Sequence, residues 1–167
     1  PDWPHEIYDA LKRAGVRVVG YVPDGGHKRL IELCLADPQM RSVVLSTEEE
    51  GIGLAAGAWL GGERSVLLMQ SSGVGNCINV LGMMHECRFP FLTLITMRGE
   101  QGEFNPWQVP MGQATQSVLE SMSVTVHRVA EARAAGATVG YGAERAHAGQ
   151  SGQAGLIAQE GIGQKKL

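Results

Sequence analysis

Aromatic side chains are scarce in this chain: three Phe, three Trp and three Tyr among 167 residues. Its core must therefore be built from aliphatic and small side chains. Cysteines are few and odd in number, Cys34, Cys77 and Cys87. Their scatter excludes a disulfide framework and metal-ligand spacing, and implies reduced thiols in a cytoplasm-like compartment. A basic excess is missing: 14 Lys and Arg face 17 Asp and Glu, for a net charge of −3. That argues against nucleic acid, whose partners carry clustered positive charge. No apolar run approaches the ~20 residues of a membrane span. The opening PDWPHEIYDALKRAG lacks the charged-then-apolar order of a secretory signal. A cytoplasmic protein with neither nucleic-acid nor membrane partner is expected.

Two things are plentiful. Hydrophobic residues make up 44%, enough for a full core, and there are 23 glycines, roughly twice the average usage of about 7%. Small residues let elements approach closely but bury little apolar surface each. A single domain over 1–167 that leans on a second chain or on its own copy is the expectation.

Periodicity places helices at 5–14, 27–35, 48–60, 77–87, 117–122 and 131–148, and apolar strands at 16–22, 41–46, 65–70, 89–97, 124–129 and 155–160. Residues 71–76 read as a loop, and 100–113 as a long irregular one. Helix and strand alternate, and the strands are continuous apolar runs. This is the pattern of a three-layer αβα fold with a mostly parallel central sheet of about six strands. Ligands of such sheets bind beyond the carboxyl ends of the strands. Those ends here are Pro23 to His27, Ser46 to Glu48, Gln70 to Gly73, and Arg98 to Glu100.

Glu48, Glu49 and Glu50 stand directly before a helix of Gly, Ala, Ile and Leu. Thr47 and Glu50 have the spacing of a capping box, and acids suit the positive end of a helix. Capping does not require Glu48. It falls where a strand ends, ahead of a helix that packs tightly, so partial desolvation should raise its pKa. A carboxyl that holds a proton near neutrality suits general acid–base work or a proton relay.

TEEEGIGLAAG followed by SVLLMQSSGVGN resembles the pyrimidine-binding (PYR) domain of thiamine-diphosphate enzymes, with Glu48 nine residues before Gly57. Within that superfamily it is most similar to the sulfopyruvate and phosphonopyruvate decarboxylases. The shared stretches are Val22-Pro23-Asp24, Gln70 to Asn76, Arg98 to Gly102, Gln108 to Gly112, and 162–166. The resemblance implies that Glu48 is the catalytic residue. It would hydrogen-bond the N1′ nitrogen of the cofactor's aminopyrimidine and drive the tautomer that removes the thiazolium C2 proton. It also places Pro23, Ser71, Ser72, Gly73 and Asn76 around the cofactor. The family holds the diphosphate through Mg²⁺ with a Gly-Asp-Gly sequence, which is not found here. The resemblance therefore implies thiamine diphosphate with Mg²⁺ held by a separate PP-domain (beta) subunit, and no metal ligand in this chain. Alone, the chain is expected to be a homodimer of little activity.

A small anionic 2-oxo acid is the implied substrate, 3-sulfopyruvate or phosphonopyruvate. Arg98 offers a guanidinium for a carboxylate or sulfonate, or pairs with Glu100 or Glu103 to order its loop. His27 opens a helix at the carboxyl edge, Asp24 shapes a turn or meets substrate, and Gln108 and Trp107 lie in a loop long enough to close over a site. The resemblance leaves open whether the product enters coenzyme M synthesis or sulfonate breakdown. A rival reading is a noncatalytic nucleotide-binding module. Gly73-x-Gly75 opens like a dinucleotide fingerprint, but the third position is Ile78. A second rival is a scaffold subunit, which the intact Glu48 opposes.

Overall fold

The computed structural model describes residues 2–162. Its elements, in chain order, are α1 (Trp3–Arg13), β1 (Val16–Tyr21), α2 (Lys28–Ala36), β2 (Arg41–Val44), α3 (Glu48–Leu60), β3 (Arg64–Gln70), α4 (Ser71–Val74), α5 (Ile78–Glu86), β4 (Phe91–Thr96), α6 (Val109–Ser121), β5 (Val124–Val129), α7 (Ala135–Gly149), β6 (Gly152–Ile157) and α8 (Gln159–Ile162). All six strands are parallel, in the order β2-β1-β3-β4-β6-β5. Parallel neighbours need crossovers, and the helices that supply them cover both faces of the sheet.

Side-chain alternation along the strands divides the core in two. Val19, Val66, Leu68, Leu92 and Leu94 face α1, α2 and α7, where they meet Ile7, Leu11, Leu30 and Val139. Leu67, Met69, Phe91, Ile95 and Leu156 face α3, α5 and α6, against Ile52, Leu81, Met84 and Leu119. Phe91 is the one aromatic among the largest fully buried side chains. Glycine compensates by close approach: a Cβ on Gly51 would collide with Leu67, so α3 lies nearly on β3. The outer face of α3 is the opposite. Gly53 and Gly57 face open space and Leu60 is 75% exposed. A helix apolar all round is usually buried all round.

The expected αβα architecture is present, with several boundaries moved. The irregular stretch expected over 100–113 ends early: a single 3-10 turn, Pro106–Gln108, leads into α6 at Val109. Pro110 and Gly112 read as breakers, yet proline is favoured in a helix's first turn. Gly112 is dictated by packing, since a Cβ there would strike the main chain of Arg98. The 71–76 loop starts with the one-turn helix α4. The last strand lies three residues earlier than expected, because the Gly- and Ala-rich 152–155 pairs with β4 and β5. The capping box does not form, and Glu50 bonds one residue ahead of the cap instead. Glu50 reaches back to the main-chain N–H of Ser46 at 2.7 Å, while Thr47 makes no side-chain cap. Residues 163–166 of the last motif lie outside the described residues. Among the described residues no helix is long and apolar enough to cross a membrane.

Candidate active site

The strand order turns twice, between β1 and β3 and between β4 and β6. At the carboxyl end of such a turn the connecting loops diverge and leave a crevice. Asp24 ties the first one together. Its Oδ1 accepts from Gln70 Nε2 at 3.0 Å, and its Oδ2 from Thr96 Oγ1 at 2.7 Å and from the Gly26 N–H at 2.9 Å. One carboxylate thus joins the ends of β1, β3 and β4. Burial alone would raise its pKa. The donors Thr96, Gln70 and the Gly26 N–H outweigh burial and hold it below the usual carboxylate range. Of the two readings of Asp24, the structure shows the turn-shaping one: its carboxylate braces the turn.

His27 follows, at the start of α2. Its ring is fully buried, with Nε2 3.1 Å from the Met69 carbonyl and 3.0 Å from that of Leu94. Carbonyls only accept, so Nε2 carries the proton. Burial holds the imidazole below its ordinary pKa, against the pull of Asp24 and the two carbonyls. Nδ1 is buried with no partner among the described residues. The ring is sealed inside the fold. It pins the start of α2 to β3 and β4.

Beside this brace stands Glu48, the first residue of α3 and only 9% exposed. Asn76 Nδ2 donates to its Oε2 at 2.8 Å. A methyl group on Gly73 would occupy the space of Glu48 Cγ, Cδ and Oε1. The carboxyl thus rests on bare main chain, with one oxygen paired to Asn76 and the other over Gly73. Glu49 and Glu50 are exposed. The first short helix after β3 makes this geometry. Ser71 is fully buried, and its Oγ accepts the Arg98 N–H at 3.0 Å. Ser72 is exposed and donates to Gln70 Oε1 at 2.7 Å.

Pro23 is exposed, two residues beyond the end of β1. Arg98, at the end of β4, is not a free fork. Its Nε and Nη2 donate to Glu103 at 2.7 and 2.5 Å, which leaves Nη1 as the edge Glu103 does not take. Gln108 is half-buried, and its main chain packs on Gly99, which has φ +75°. Trp107 beside it is 72% exposed.

The structure thus unites Glu48, Gly73 and Asn76 directly, and links Asp24, Gln70 and Ser72 in a hydrogen-bonded chain alongside. Two contributors escaped the sequence reading of site residues: Gln70 and Thr96. Thr96 had a signal, a polar residue at the carboxyl end of an otherwise apolar strand. Glu103 enters the sequence reading only as a partner of Arg98 that orders its loop, and the structure forms that pair.

A carboxyl sunk at a switch point, with its neighbour trimmed to glycine, defines a class: a doubly wound α/β domain that offers one acid to a ligand at its carboxyl edge. Residues 4–124 match the family described as thiamine pyrophosphate enzyme, N-terminal TPP binding domain, and the chain belongs to that family. It is 38% identical over 136 residues to the sulfopyruvate decarboxylase subunit alpha of Methanothermobacter thermautotrophicus, covering 79% of this chain and 82% of that one. The protein of the same name from Methanocaldococcus jannaschii is 33% identical, with 73% of each chain covered. The phosphonopyruvate decarboxylase of Streptomyces viridochromogenes is 35% identical, but the match spans only 30% of its length. Among solved structures, a 2-oxoglutarate:ferredoxin oxidoreductase from Magnetococcus marinus shares the fold with a TM-score of 0.75 at 14% identity, over 96% of this chain and 29% of that one.

The residues present fit the pyrimidine end of thiamine diphosphate. A buried carboxyl against bare main chain can pair with a ring nitrogen, and the notch at Gly73 leaves no side chain between them. Among the described residues no group of three His, Cys, Asp or Glu is placed to hold a metal ion.

Proposed function

We propose that this chain is the pyrimidine-binding subunit of a thiamine-diphosphate-dependent decarboxylase that converts 3-sulfopyruvate to sulfoacetaldehyde and CO₂. The observation that carries the reading is the Glu48 carboxyl, fixed by Asn76 and set over Gly73 at the β1/β3 switch point. In this reading the C1–C2 bond of the 2-oxo acid breaks, CO₂ leaves, and a proton takes its place on the remaining carbon. Thiamine diphosphate, when bound, supplies the sink for the electron pair left behind. Glu48 holds or moves the proton at the aminopyrimidine N1′. Asn76 fixes the carboxyl's orientation, and the glycine lets the ring approach. The Asp24–Gln70–Thr96 brace keeps the strand ends in register, and Ser71 ties the end of β3 to that of β4.

The diphosphate and its Mg²⁺ would be held by a separate PP-domain subunit. Two observations support a partner: the relatives of similar length are named as alpha subunits, and α3, which begins with Glu48, leaves Gly53, Gly57 and Leu60 uncovered. A partner seated there would close the site. Without it the chain would pair with its own copy and turn over little substrate. The sulfonate is favoured over the phosphonate because three sulfopyruvate relatives, the alpha subunits, match along 71–82% of their length, although a longer sulfopyruvate decarboxylase is matched along 32% of its own. The longer phosphonopyruvate enzymes are matched along 28–30% of theirs.

The test is CO₂ release from 3-sulfopyruvate, with thiamine diphosphate and Mg²⁺, by this chain co-purified with the product of its neighbouring reading frame. Phosphonopyruvate and the isolated chain serve as controls. Turnover only by the complex, with the sulfonate preferred, supports the proposal. Turnover of neither acid refutes the assigned reaction and returns the scaffold reading.

A further inference from the structure

The segment between β4 and α6 is fastened far more firmly than a surface loop requires. Glu103 is its centre. Its carboxylate accepts from Arg98 Nε and Nη2, from the main-chain N–H of Gly99 at 3.0 Å and of Asn105 at 2.9 Å, and from Gln159 Nε2 at 3.2 Å. Five donors reach one side chain that is only 2% exposed, and the Arg98 side chain is itself 14% exposed. The guanidinium opposite, with the Gly99 and Asn105 N–H groups, holds the Glu103 carboxyl well below the usual carboxylate range, so it is charged at neutral pH.

Glu100 repeats the pattern on the outer side. It pairs with Arg128 of β5 and accepts the Gln159 N–H at 2.8 Å, and its own N–H donates to Gln159 Oε1 at 3.1 Å. The strap is thereby stitched across the second switch point, between β4 and β6. Gly99 and Gly102 supply the positive φ values that fold it back, +75° and +87°. Phe104 lies under the Arg98 guanidinium, 5.2 Å from centroid to Cζ. The Arg98 main chain is gripped from two further sides, by Ser71 Oγ and by Gly112. A side chain that recognises an anion is most useful when its own rotamer is locked by a second layer of hydrogen bonds. Glu103 gives Arg98 that layer and leaves Nη1.

We propose that Glu103 is a positioning residue for the anionic substrate: it sets Arg98 and the 99–108 strap at the carboxyl edge before substrate arrives, so that Arg98 meets the carboxylate or sulfonate with an edge already oriented. This rests on the 2-oxo acid decarboxylase reading of the site. On this view the strap is a fixed wall, and substrate affinity draws on preorganisation.

The test is Glu103→Gln, which keeps the shape and removes the charge. Amide hydrogen exchange is followed in the full chain, and steady-state kinetics in the complex with its partner. Exchange at Gly99 and Asn105, whose N–H groups Glu103 accepts, should speed up by about tenfold or more. KM for 3-sulfopyruvate should rise about tenfold while kcat stays within about threefold. Arg98→Lys should raise KM in the same way yet leave the Asn105 amide protected, since Glu103 still accepts it; should Glu103→Gln fail to fold, Glu103→Asp, whose shorter carboxylate cannot reach Arg98 and both amides together, decides by the same readouts. Faster exchange with an unchanged KM would make the pair merely structural and overturn the proposal. A fall in kcat at constant KM would overturn it too. A wild-type complex that turns over neither acid defeats the assigned reaction instead. In that case 3-sulfopyruvate should still slow strap exchange in wild type and not in Glu103→Gln; no such difference defeats the positioning role as well.

Discussion

Replacing Gly73 with alanine is a small change with a large expected effect. Gly73 lies in α4 with ordinary negative φ, so its backbone accepts alanine. In a helix that exchange is favourable by about 0.5–1 kcal/mol. The new methyl group would nevertheless overlap the Glu48 side chain at Cγ, Cδ and Oε1. Glu48 is buried, begins a helix that lies against β3, and is tethered by Asn76. It can yield only by moving its carboxyl by about 1 Å, and a misplacement of that size costs about 100-fold in rate. At 1.36 kcal/mol per tenfold, that is about 2.7 kcal/mol of transition-state stabilisation. Overpacking costs about 1–3 kcal/mol of stability, partly offset by the helix gain. A domain of this length shifts by about 2–4 °C per kcal/mol. The assay is CO₂ release by the reconstituted complex beside a thermal melt of the same preparation. The expected result is a folded variant, within about 8 °C of wild type, with activity down about 100-fold. A folded Gly73→Ala complex with wild-type activity would refute the reasoning, because the carboxyl would then not need its seat on the main chain.

Three further outcomes follow from the geometry. Asp37 takes hydrogen bonds from Lys12, Gln39 N–H and Tyr8, and Lys12 above all draws its carboxyl down to about 2. A depressed carboxyl contributes stability that is present above its unfolded value of about 3.9 and lost as pH falls toward 2; Asp37→Asn should flatten the acid limb of melting temperature against pH in that window. Burial pushes Cys34 and Cys77 up to about 12, whereas Cys87 is exposed, so a thiol reagent should label one cysteine rapidly in the native chain and three after denaturation. Thr96→Val removes the 2.7 Å donor to Asp24 and should cost about 1–3 kcal/mol, read as a lower urea midpoint at unchanged m-value.

The sheet was legible in the sequence because its strands are continuous apolar runs separated by helical periods. β5 falls on the expected residues, and β1 and β3 within one. Glu48 was legible for a different reason: capping explained its two neighbours and left it over. What remained hidden depends on tertiary contacts. Gly112 reads as a breaker and proves to be a contact with Arg98. Helix α6 consequently began eight residues earlier than periodicity placed it. His27 and Asp24, both polar beside a turn, read as either shaping that turn and the helix start or meeting substrate. Their actual partners are Met69, Leu94, Gln70 and Thr96, carried on strands that pair only in the fold. Glu103 draws its donors from both neighbouring loops and from Gln159, 56 residues away. No spacing rule anticipates such a cluster.

The most direct test of the account is Glu48→Gln in the reconstituted complex. Glutamine keeps the volume and can still accept from Asn76, but it cannot exchange a proton with the aminopyrimidine. General acid–base contributions run to about 10²–10⁴-fold. Size-exclusion chromatography should show the same assembly as wild type, and CO₂ release from 3-sulfopyruvate should fall by at least about 100-fold. A Glu48→Gln complex that assembles normally and keeps its activity would contradict the central claim that this buried carboxyl runs the proton relay.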